Sequence, residues 1–313
     1  MTIRSRAVQF AHTGGPQVLS VVDVELGDPG PGEVLLRHHA IGVNYMDVYH
    51  RSGQYPLPLP SGVGMEAAGV VESAGAGVAD LRPGDRVAYG GGAPGAYAEL
   101  RIIPADRLVK IPEGVSDENA AAILMKGMTA EYLLNRCYAL KAGEFALFFA
   151  AAGGVGLLAG QWGRHLGARM IGVASGAEKC RTALDHGYHL VIDRSREDVV
   201  ARVREITAGA GVPVVYDSVG KATFETTIKC VAPRGYFVSF GTTTGAPPAV
   251  EAALLQKSGS LYFTRPTLAN YCAARADLLT SAQAVFDLHR KGILKPRIGQ
   301  RYPLAEAARA HAD

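Results

Sequence analysis

The 313-residue sequence predicts an α/β protein with a β-rich first domain followed by a doubly wound parallel sheet. Residues 1 to about 112 consist of short runs that are rich in β-branched residues and bounded by Pro and Gly. After Ser116, strand-like and helix-like segments alternate, which is typical of a parallel sheet. That alternation includes a nineteen-residue run without charge, "FALFFAAAGGVGLLAGQWG", at residues 145–163.

The first domain is predicted to be a small barrel or a partly closed sheet. Its strands include "GEVLLRHHAIGV", "GVVESAGAGV", "DRVAYG" and "YAELRII", and the Pro-Gly pair in "LRPGDRV" indicates a turn. His38 and His39 are adjacent on one predicted strand and point to opposite faces, which favours structural roles over metal binding. We expect this domain to span residues 1–124 and to be completed by residues 266–313, where the alternation stops.

The second domain is predicted to span residues 125–265. Ser116 is the expected N-cap of the helix that leads into it, with two acids in the first turn. The predicted strands are 145–150, 170–174, 190–192, 214–217, 236–240 and 261–264. The predicted helices include 198–207 and 224–231, and a helix at 273–290 and a strand-like "PRIGQRYPL" at 296–304 follow. The sequence stops at Asp313 within a helical pattern and without a C-cap, so either the protein ends on a frayed helix or residues are missing here, and we expect the second.

The uncharged run is predicted to be a strand, a glycine turn and a helix rather than a membrane span. It contains five glycines, and each glycine in a helix interior costs about 1 kcal/mol relative to alanine. Its first part, "FALFFA", is uniformly apolar, as expected for a strand buried on both faces. Its second part has apolar residues at helical spacing and is expected to end at Gly167.

The glycine turn that opens this helix is the predicted cofactor site. Free backbone N–H groups and the helix dipole favour an anion there, and the missing Cβ atoms let phosphate oxygens approach. Such a turn also occurs as a purely structural feature, but the five further βα units favour a dinucleotide. The residues expected to hold its pyrophosphate are Gly153, Gly154, Val155 and Gly156.

The end of the next strand, "RMIGVASGAEKC", predicts NADPH as the dinucleotide. NAD enzymes usually carry an Asp or Glu about 20 residues after the glycines. This strand ends at Ser175 without an acid, and Lys179 and Arg194 follow. Cations without a carboxylate fit a 2′-phosphate, and the alternative is that both are ordinary solvated charges. Glu178 is also close, and we expect it to point into the following helix.

The segment "GEFALFFAAAGGVGLLAGQWGR" at residues 143–164 resembles the signature of the quinone oxidoreductase/zeta-crystallin branch of the medium-chain dehydrogenases/reductases. The resemblance extends through "AIGVNYMDVYHRSGQYP", "LPSGVGMEAAGVVESAGAGV", "LMKGMTAEYLL", "VVYDSVG", "FVSFG" and "SLYFTRPTL". It implies a GroES-like catalytic domain and a Rossmann domain, in a dimer formed through the Rossmann sheet. It also implies which residues border the cofactor or the cleft: Asn44, Asp47, Lys126, Ser218, Phe240, Gly241 and Arg265.

The same resemblance predicts a metal-free site. Zinc-dependent relatives bind the metal through Cys, His and Cys, because sulfur and imidazole suit tetrahedral zinc. The corresponding positions hold Asn44, Met65 and Lys126, which do not make a credible zinc site, although Glu66 remains.

A metal-free site favours a substrate that accepts hydride readily, and a quinone does so because its reduction restores aromaticity. A phenol stays protonated at neutral pH and can donate a hydrogen bond to a quinone oxygen. Tyr49 and Tyr55 are therefore predicted to be catalytic, although an alternative is that they only line the pocket. Asn44 is expected to donate its amide to the same oxygen or to hold the cofactor.

The leading prediction is an NADPH-dependent quinone reductase. The alternatives are an NADPH-dependent reductase of α,β-unsaturated carbonyls and a non-enzymatic RNA-binding or crystallin-like protein. The net charge of +3 and the lack of a basic-aromatic patch argue against nucleic acid as the main ligand. No apolar run of signal-peptide length follows the N-terminal arginines, and the four cysteines form no disulfide or zinc pattern. We therefore expect a cytoplasmic protein.

Overall fold

The computed structural model describes residues 2–313, which divide into two units. The first unit contains residues 2–125, Cys272–Arg290 and Pro296–Asp313. The second unit contains Lys126–Tyr271 and Lys291–Lys295.

Antiparallel strands form two sheets in the first unit, because its short β-branched runs are joined by tight turns. A three-stranded sheet has the order β2-β1-β4, and a five-stranded sheet has the order β7-β3-β5-β6-β8. Val34, Leu36 and Val87 are fully buried in the core of this unit. The strands are β1 (Ile3–Phe10), β2 (Ser20–Leu26), β3 (Glu33–Gly42), β4 (Ser61–Gly62), β5 (Glu66–Ala74), β6 (Arg86–Gly90), β7 (Leu100–Pro104) and β8 (Val109–Lys110).

Six parallel strands form one sheet in the second unit: β9 (Phe145–Phe149), β10 (Arg169–Ala174), β11 (Leu190–Asp193), β12 (Val212–Asp217), β13 (Val231–Ser239) and β14 (Tyr262–Thr264). Their order is β11-β10-β9-β12-β13-β14, which is the 3-2-1-4-5-6 order of a dinucleotide-binding sheet. Leu147, Ile171 and Val215 are fully buried on three adjacent strands. The strand order changes direction at β9, so the loops that follow β9 and β12 flank the crevice where ligands of such sheets bind.

The helices are α1 (Tyr45–Ser52), α2 (Asp117–Glu131), α3 (Gly154–His165), α4 (Ala177–Asp185), α5 (Val199–Ile206), α6 (Phe224–Cys230), α7 (Ala252–Lys257), α8 (Leu268–Tyr271), α9 (Arg275–Arg290) and α10 (Ala307–Ala312). Ser116 caps α2, because its Oγ accepts a hydrogen bond of 3.1 Å from the Asn119 amide. Gly167 follows α3 in the left-handed conformation, with φ +78°.

The predicted α/β class and all six predicted parallel strands are confirmed, with shifts of a few residues at their ends. The uncharged run forms β9, a turn and α3. Within residues 2–313, no helix has both the length and the apolar character that crossing a membrane requires.

The predicted strand at 296–304 is wrong. This segment is irregular until a 3-10 turn begins at Leu304. Pro296 and Pro303 lack the N–H groups that a strand ladder needs, and Gly299 between them has no side chain to pack against a sheet.

His38 on β3 is held in its neutral form by its surroundings. Its Nδ1 donates to the Ala98 carbonyl at 2.7 Å, and its Nε2 accepts from the Tyr89 hydroxyl at 3.1 Å. Burial lowers the pKa of His38 to about 4. The neighbouring His39 instead contacts Asp117 at 2.8 Å, so the two rings have separate structural partners.

Replacing His38 by Asn is expected to weaken the dependence of stability on pH. Between pH 7.5 and 4.5 the unfolded imidazole, with an ordinary pKa, binds a proton that folded His38 does not, so wild-type stability falls as the pH falls. The destabilisation caused by H38N should therefore shrink by about 2 kcal/mol over this range. Urea unfolding at both pH values measures it, with H12N at an exposed histidine as the control. Equal pH slopes for H38N and the wild type would contradict this assignment.

Candidate active site

The turn between β9 and α3 presents backbone N–H groups at the carboxyl end of the parallel strands. Gly153 is the N-cap of α3 in extended conformation and makes no side-chain cap hydrogen bond. Gly153 and Gly154 are exposed. The amides of the first helical turn lack intrahelical acceptors and carry the positive end of the helix dipole. An anionic group therefore fits at this turn.

The turn depends on the missing side chain of Gly156. A Cβ atom there would lie 2.4 Å from the Ala150 carbonyl oxygen and 2.7 Å from that of Ala151. Ala150 itself adopts φ +54°, which L-residues seldom adopt. The Gly153 amide then donates to the Ala150 carbonyl at 2.9 Å and closes the turn.

Lys126 lies next to this turn. A Cβ atom on Gly154 would come within 2.9 Å of Lys126 Cδ, so the aliphatic part of the lysine covers Gly154. The arrangement brings a cationic side chain close to the exposed amides, as an anionic ligand requires.

Ser175 and Arg194 meet at the end of β10. Arg194 Nε donates to Ser175 Oγ at 2.9 Å, and both residues are exposed. Lys179 is also exposed, in the first turn of α4. The cations and the hydroxyl supply donors that suit a phosphate, so the residues present fit the 2′-phosphate of NADPH.

The nearest acid in the β11 turn, Asp193, is engaged in the loop. Its Oδ1 accepts from the Gly176 amide at 3.0 Å and from the Ser195 amide and hydroxyl at 3.0 and 2.6 Å. The Ser195 hydroxyl, followed by the Gly176 amide, lowers the pKa of Asp193. The sequence analysis missed this residue, although an acid followed by a serine two positions later is a common turn pattern.

A buried carboxylate shapes the loop that follows β12. Asp217 is 1% exposed, and its Oδ1 accepts from the amides of Val219 and Gly220 at 2.7 and 3.3 Å. Its Oδ2 accepts from the hydroxyls of Thr223 and Thr227 at 2.6 and 2.7 Å. Asp217 therefore fixes the backbone next to Ser218, a predicted cofactor residue. No motif that the sequence analysis considered predicts this role for Asp217.

The loop after β13 packs against the loop after β12. A Cβ atom on Gly241 would lie 2.6 Å from the Ser218 carbonyl oxygen, and the Thr243 amide donates to that oxygen at 3.2 Å. The Phe240 ring lies 5.5 Å from Phe148, measured between centroids. Arg265 Nη1 donates to the Ser239 carbonyl at 3.0 Å. The structure thus brings together, at the carboxyl ends of β12, β13 and β14, the residues Ser218, Phe240, Gly241 and Arg265.

In the first unit, a buried polar network surrounds the start of α1. The Asn44 amide nitrogen donates to Glu66 at 2.8 Å, and the Asn44 backbone N–H donates to Asp47 at 2.9 Å. Asp47 and Glu66 are fully buried. Tyr97 donates to Asp47 at 3.2 Å, and burial together with the Asp47 charge raises the pKa of Tyr97 well above its usual value.

The two predicted catalytic tyrosines contact one another through tilted rings, with an interplanar angle of 49°. The Tyr49 and Tyr55 rings lie 5.0 Å apart, and the Tyr45 ring meets Tyr49 edge-on at 5.2 Å. Tyr49 is buried, Tyr55 is half-buried and Tyr45 is 55% exposed. Tyr45 therefore offers an open aromatic surface that the sequence analysis did not single out.

The amide of Asn44, the thioether of Met65 and the ammonium of Lys126, at the positions that the resemblance matches to zinc ligands, do not suit zinc. Across residues 2–313, no cluster of three or more His, Cys, Asp or Glu side chains is arranged to hold a metal ion.

Two family models match the chain. Residues 30–113 match the alcohol dehydrogenase GroES-like domain, and residues 154–275 match the zinc-binding dehydrogenase family. A quinone oxidoreductase of Pseudomonas aeruginosa is 50% identical over 99% of this chain and 95% of its own length. A 2-haloacrylate reductase of a Burkholderia species is 43% identical over 95% of this chain and 92% of its own.

A solved structure with the same fold is the Escherichia coli quinone oxidoreductase complexed with NADPH. It superposes with a TM-score of 0.96 at 45% identity and covers 98% of this chain and 95% of its own. These matches confirm the fold class and the family that the sequence motifs indicate.

Replacing Asp217 by Ala is expected to destabilise the protein. Two amides and two hydroxyls would lose their buried acceptor, which should lower the free energy of unfolding by about 3 kcal/mol or more. Urea unfolding followed by circular dichroism measures the change. D185A, at an exposed acid at the end of α4, serves as the control. Coincident unfolding curves for D217A and D185A would show that the network does not stabilise this loop.

Proposed function

The chain belongs to the quinone oxidoreductase family of the medium-chain dehydrogenases/reductases, and we propose that it reduces quinones with NADPH at a metal-free site. The contact between Arg194 and Ser175 is the observation that supports NADPH over NADH. Ser175 ends the strand after which NAD enzymes usually carry a carboxylate, and Arg194 places a cation there instead. The names of the most similar relatives support the choice of substrate.

The second unit is proposed to bind the dinucleotide, which supplies the hydride when bound. The amides of Gly153, Gly154, Val155 and Gly156 bind the pyrophosphate, and the Lys126 ammonium adds positive charge. Ser175, Lys179 and Arg194 bind the 2′-phosphate. Ser218, Phe240, Gly241 and Arg265 are proposed to border the cofactor. Asn44 and Asp47, which belong to the first unit, are also proposed to bind it.

The quinone is proposed to bind near the tyrosines of the first unit. Reduction to the hydroquinone takes one hydride and one proton, and negative charge develops on a quinone oxygen as the hydride arrives. The hydroxyls of Tyr49 and Tyr55 stabilise that charge by donating hydrogen bonds, and their neighbouring rings pack against the flat substrate.

A reductase of α,β-unsaturated carbonyls is the second candidate. The 43% identity to a 2-haloacrylate reductase favours it, since the same hydride delivery suits an activated carbon–carbon double bond. The two candidates differ in the substrate that the pocket accepts.

We further propose a homodimer formed through the Rossmann sheet, in the cytoplasm. In the part of the chain that the structure describes, the edge strand β14 pairs with β13 alone. Its Tyr262 is 56% exposed and stacks on Tyr236 at 4.7 Å, so the edge offers both unpaired backbone groups and an aromatic surface. All four cysteines are free thiols, as a reducing compartment requires.

Steady-state assays test the proposed reaction. With NADPH, 1,4-benzoquinone should give a higher kcat/KM than an alkenal or 2-chloroacrylate. Faster reduction of the unsaturated carbonyl compounds would favour the second candidate. Oxidation of NADPH at the uncatalysed rate with every acceptor would contradict both.

Replacing Lys179 or Arg194 by Ala is expected to weaken NADPH binding selectively. Each loss removes a charged partner of the 2′-phosphate and should raise the Kd for NADPH roughly tenfold, with little change for NADH. Nucleotide fluorescence titration measures both constants. R181A, at an exposed arginine on the same helix as Lys179, is the control. Equal losses for the two nucleotides would refute the 2′-phosphate assignment.

A further inference from the structure

The Asn44 side-chain amide has a fixed polarity. Its Nδ2 donates to Glu66 Oε2 at 2.8 Å and lies 3.5 Å from the Gly42 carbonyl oxygen. A carboxylate only accepts hydrogen bonds, so the nitrogen of Asn44 and not its oxygen faces Glu66. Both N–H groups of the amide are therefore directed toward protein acceptors.

Glu66 is itself held in place. It is fully buried at the start of β5, and its Oε1 accepts from the Met125 amide at 2.7 Å. Gly42 on the adjacent strand makes the necessary space, because a Cβ atom there would lie 2.5 Å from Glu66 Oε2 and 2.3 Å from the Ala121 carbonyl oxygen. The carboxylate is thus confined by backbone on neighbouring elements.

The oxygen of the Asn44 amide has the remaining bonding capacity. The Asp47 amide donates at 3.0 Å to the backbone carbonyl of Asn44. The side-chain oxygen of Asn44 has two lone pairs, and the residue is only half-buried, so this oxygen is available to a ligand that carries a donor.

We propose that Glu66 is a positioning residue that makes Asn44 a hydrogen-bond acceptor toward its ligand. This inference rests on the proposed function and sharpens it. A quinone has only acceptor oxygens and cannot pair with an acceptor, whereas NADPH carries N–H and O–H donors on its carboxamide and ribose groups. Asn44 therefore serves the cofactor, and donation to the quinone oxygen is left to Tyr49 and Tyr55.

In the variant E66Q, the group that faces the Asn44 amide changes from a hydrogen-bond acceptor to a donor. The Met125 amide cannot turn, so the new side chain must keep its oxygen there and point its NH2 group at Asn44. The Asn44 amide must then rotate and present its nitrogen to the ligand. We expect the Kd for NADPH to rise roughly tenfold, while the KM for 1,4-benzoquinone changes less than about twofold.

The double variant N44D/E66Q restores the original polarity with the donor and acceptor exchanged. The NH2 group introduced at position 66 donates to the new carboxylate at position 44, which again presents an oxygen outward. Its Kd for NADPH should return to within about threefold of the wild-type value. A merely structural role for Glu66 predicts recovery of thermal stability without recovery of NADPH affinity.

The matched control is E72Q, at an exposed glutamate on the same strand that pairs with Arg37. Wild-type NADPH affinity in E66Q, or a double variant that binds as weakly as E66Q, would overturn the inference. If E66Q does not fold, the NADPH affinity of N44D/E66Q is compared with that of N44A. Wild-type affinity in the double variant and a tenfold loss in N44A support the inference. Equal losses of affinity in the two variants overturn it. A wild-type protein that binds NADPH without reducing quinones would refute the proposed function, and the binding comparison would still decide the role of Glu66.

Discussion

The close approach of α3 to the sheet is the constraint on which the second unit depends. Gly156, Gly160 and Gly163 lie on one face of α3 at helical spacing. Cβ atoms on them would lie 2.4 Å from the Ala150 carbonyl oxygen, 2.5 Å from the Tyr188 ring and 2.3 Å from the Met170 sulfur, respectively. Helix α3 therefore lies unusually close to the central strands. That contact fixes the position of the N–H groups in the first turn of α3. The same glycines therefore determine both the packing of the helix and the place where an anionic ligand can bind.

Each unit contains a buried carboxylate that organises its surroundings. Asp217 accepts four hydrogen bonds from the loop after β12 and the start of α6, and Glu66 connects Asn44 to the Met125 amide. A buried carboxylate is costly unless its oxygens are satisfied. Each of these acids therefore holds several backbone or side-chain donors in one geometry. The residues expected to touch ligands are placed by acids that need not touch them.

Elements whose local sequence pattern coincides with their tertiary role could be predicted from the sequence. The apolar strands and the glycine turn were located to within a few residues, because periodicity and glycine spacing are local properties. The segment at 296–304 was wrongly assigned to a strand, although it contains two prolines. Glu66, Asp193 and Asp217 were not recognised as organising residues. The partners of Glu66 come from other segments of the chain, whereas all four partners of Asp217 lie within ten residues of it. In either case an isolated acid in a sequence does not reveal what it contacts.

The sequence by itself determined the fold class, the dinucleotide turn and the family, because these depend on residue types at fixed spacing along the chain. It also placed Asn44, Tyr49 and Tyr55 close together along the chain, although the predicted loop is in fact helix α1 and the residues that flank it. Only the tertiary structure decided which way the Asn44 amide points, since that depends on Glu66, twenty-two residues away. Likewise, Arg194 reaches Ser175 only because β11 pairs with β10. Hydrogen-bond polarity is a property of neighbours in space, and a sequence without coordinates does not contain it.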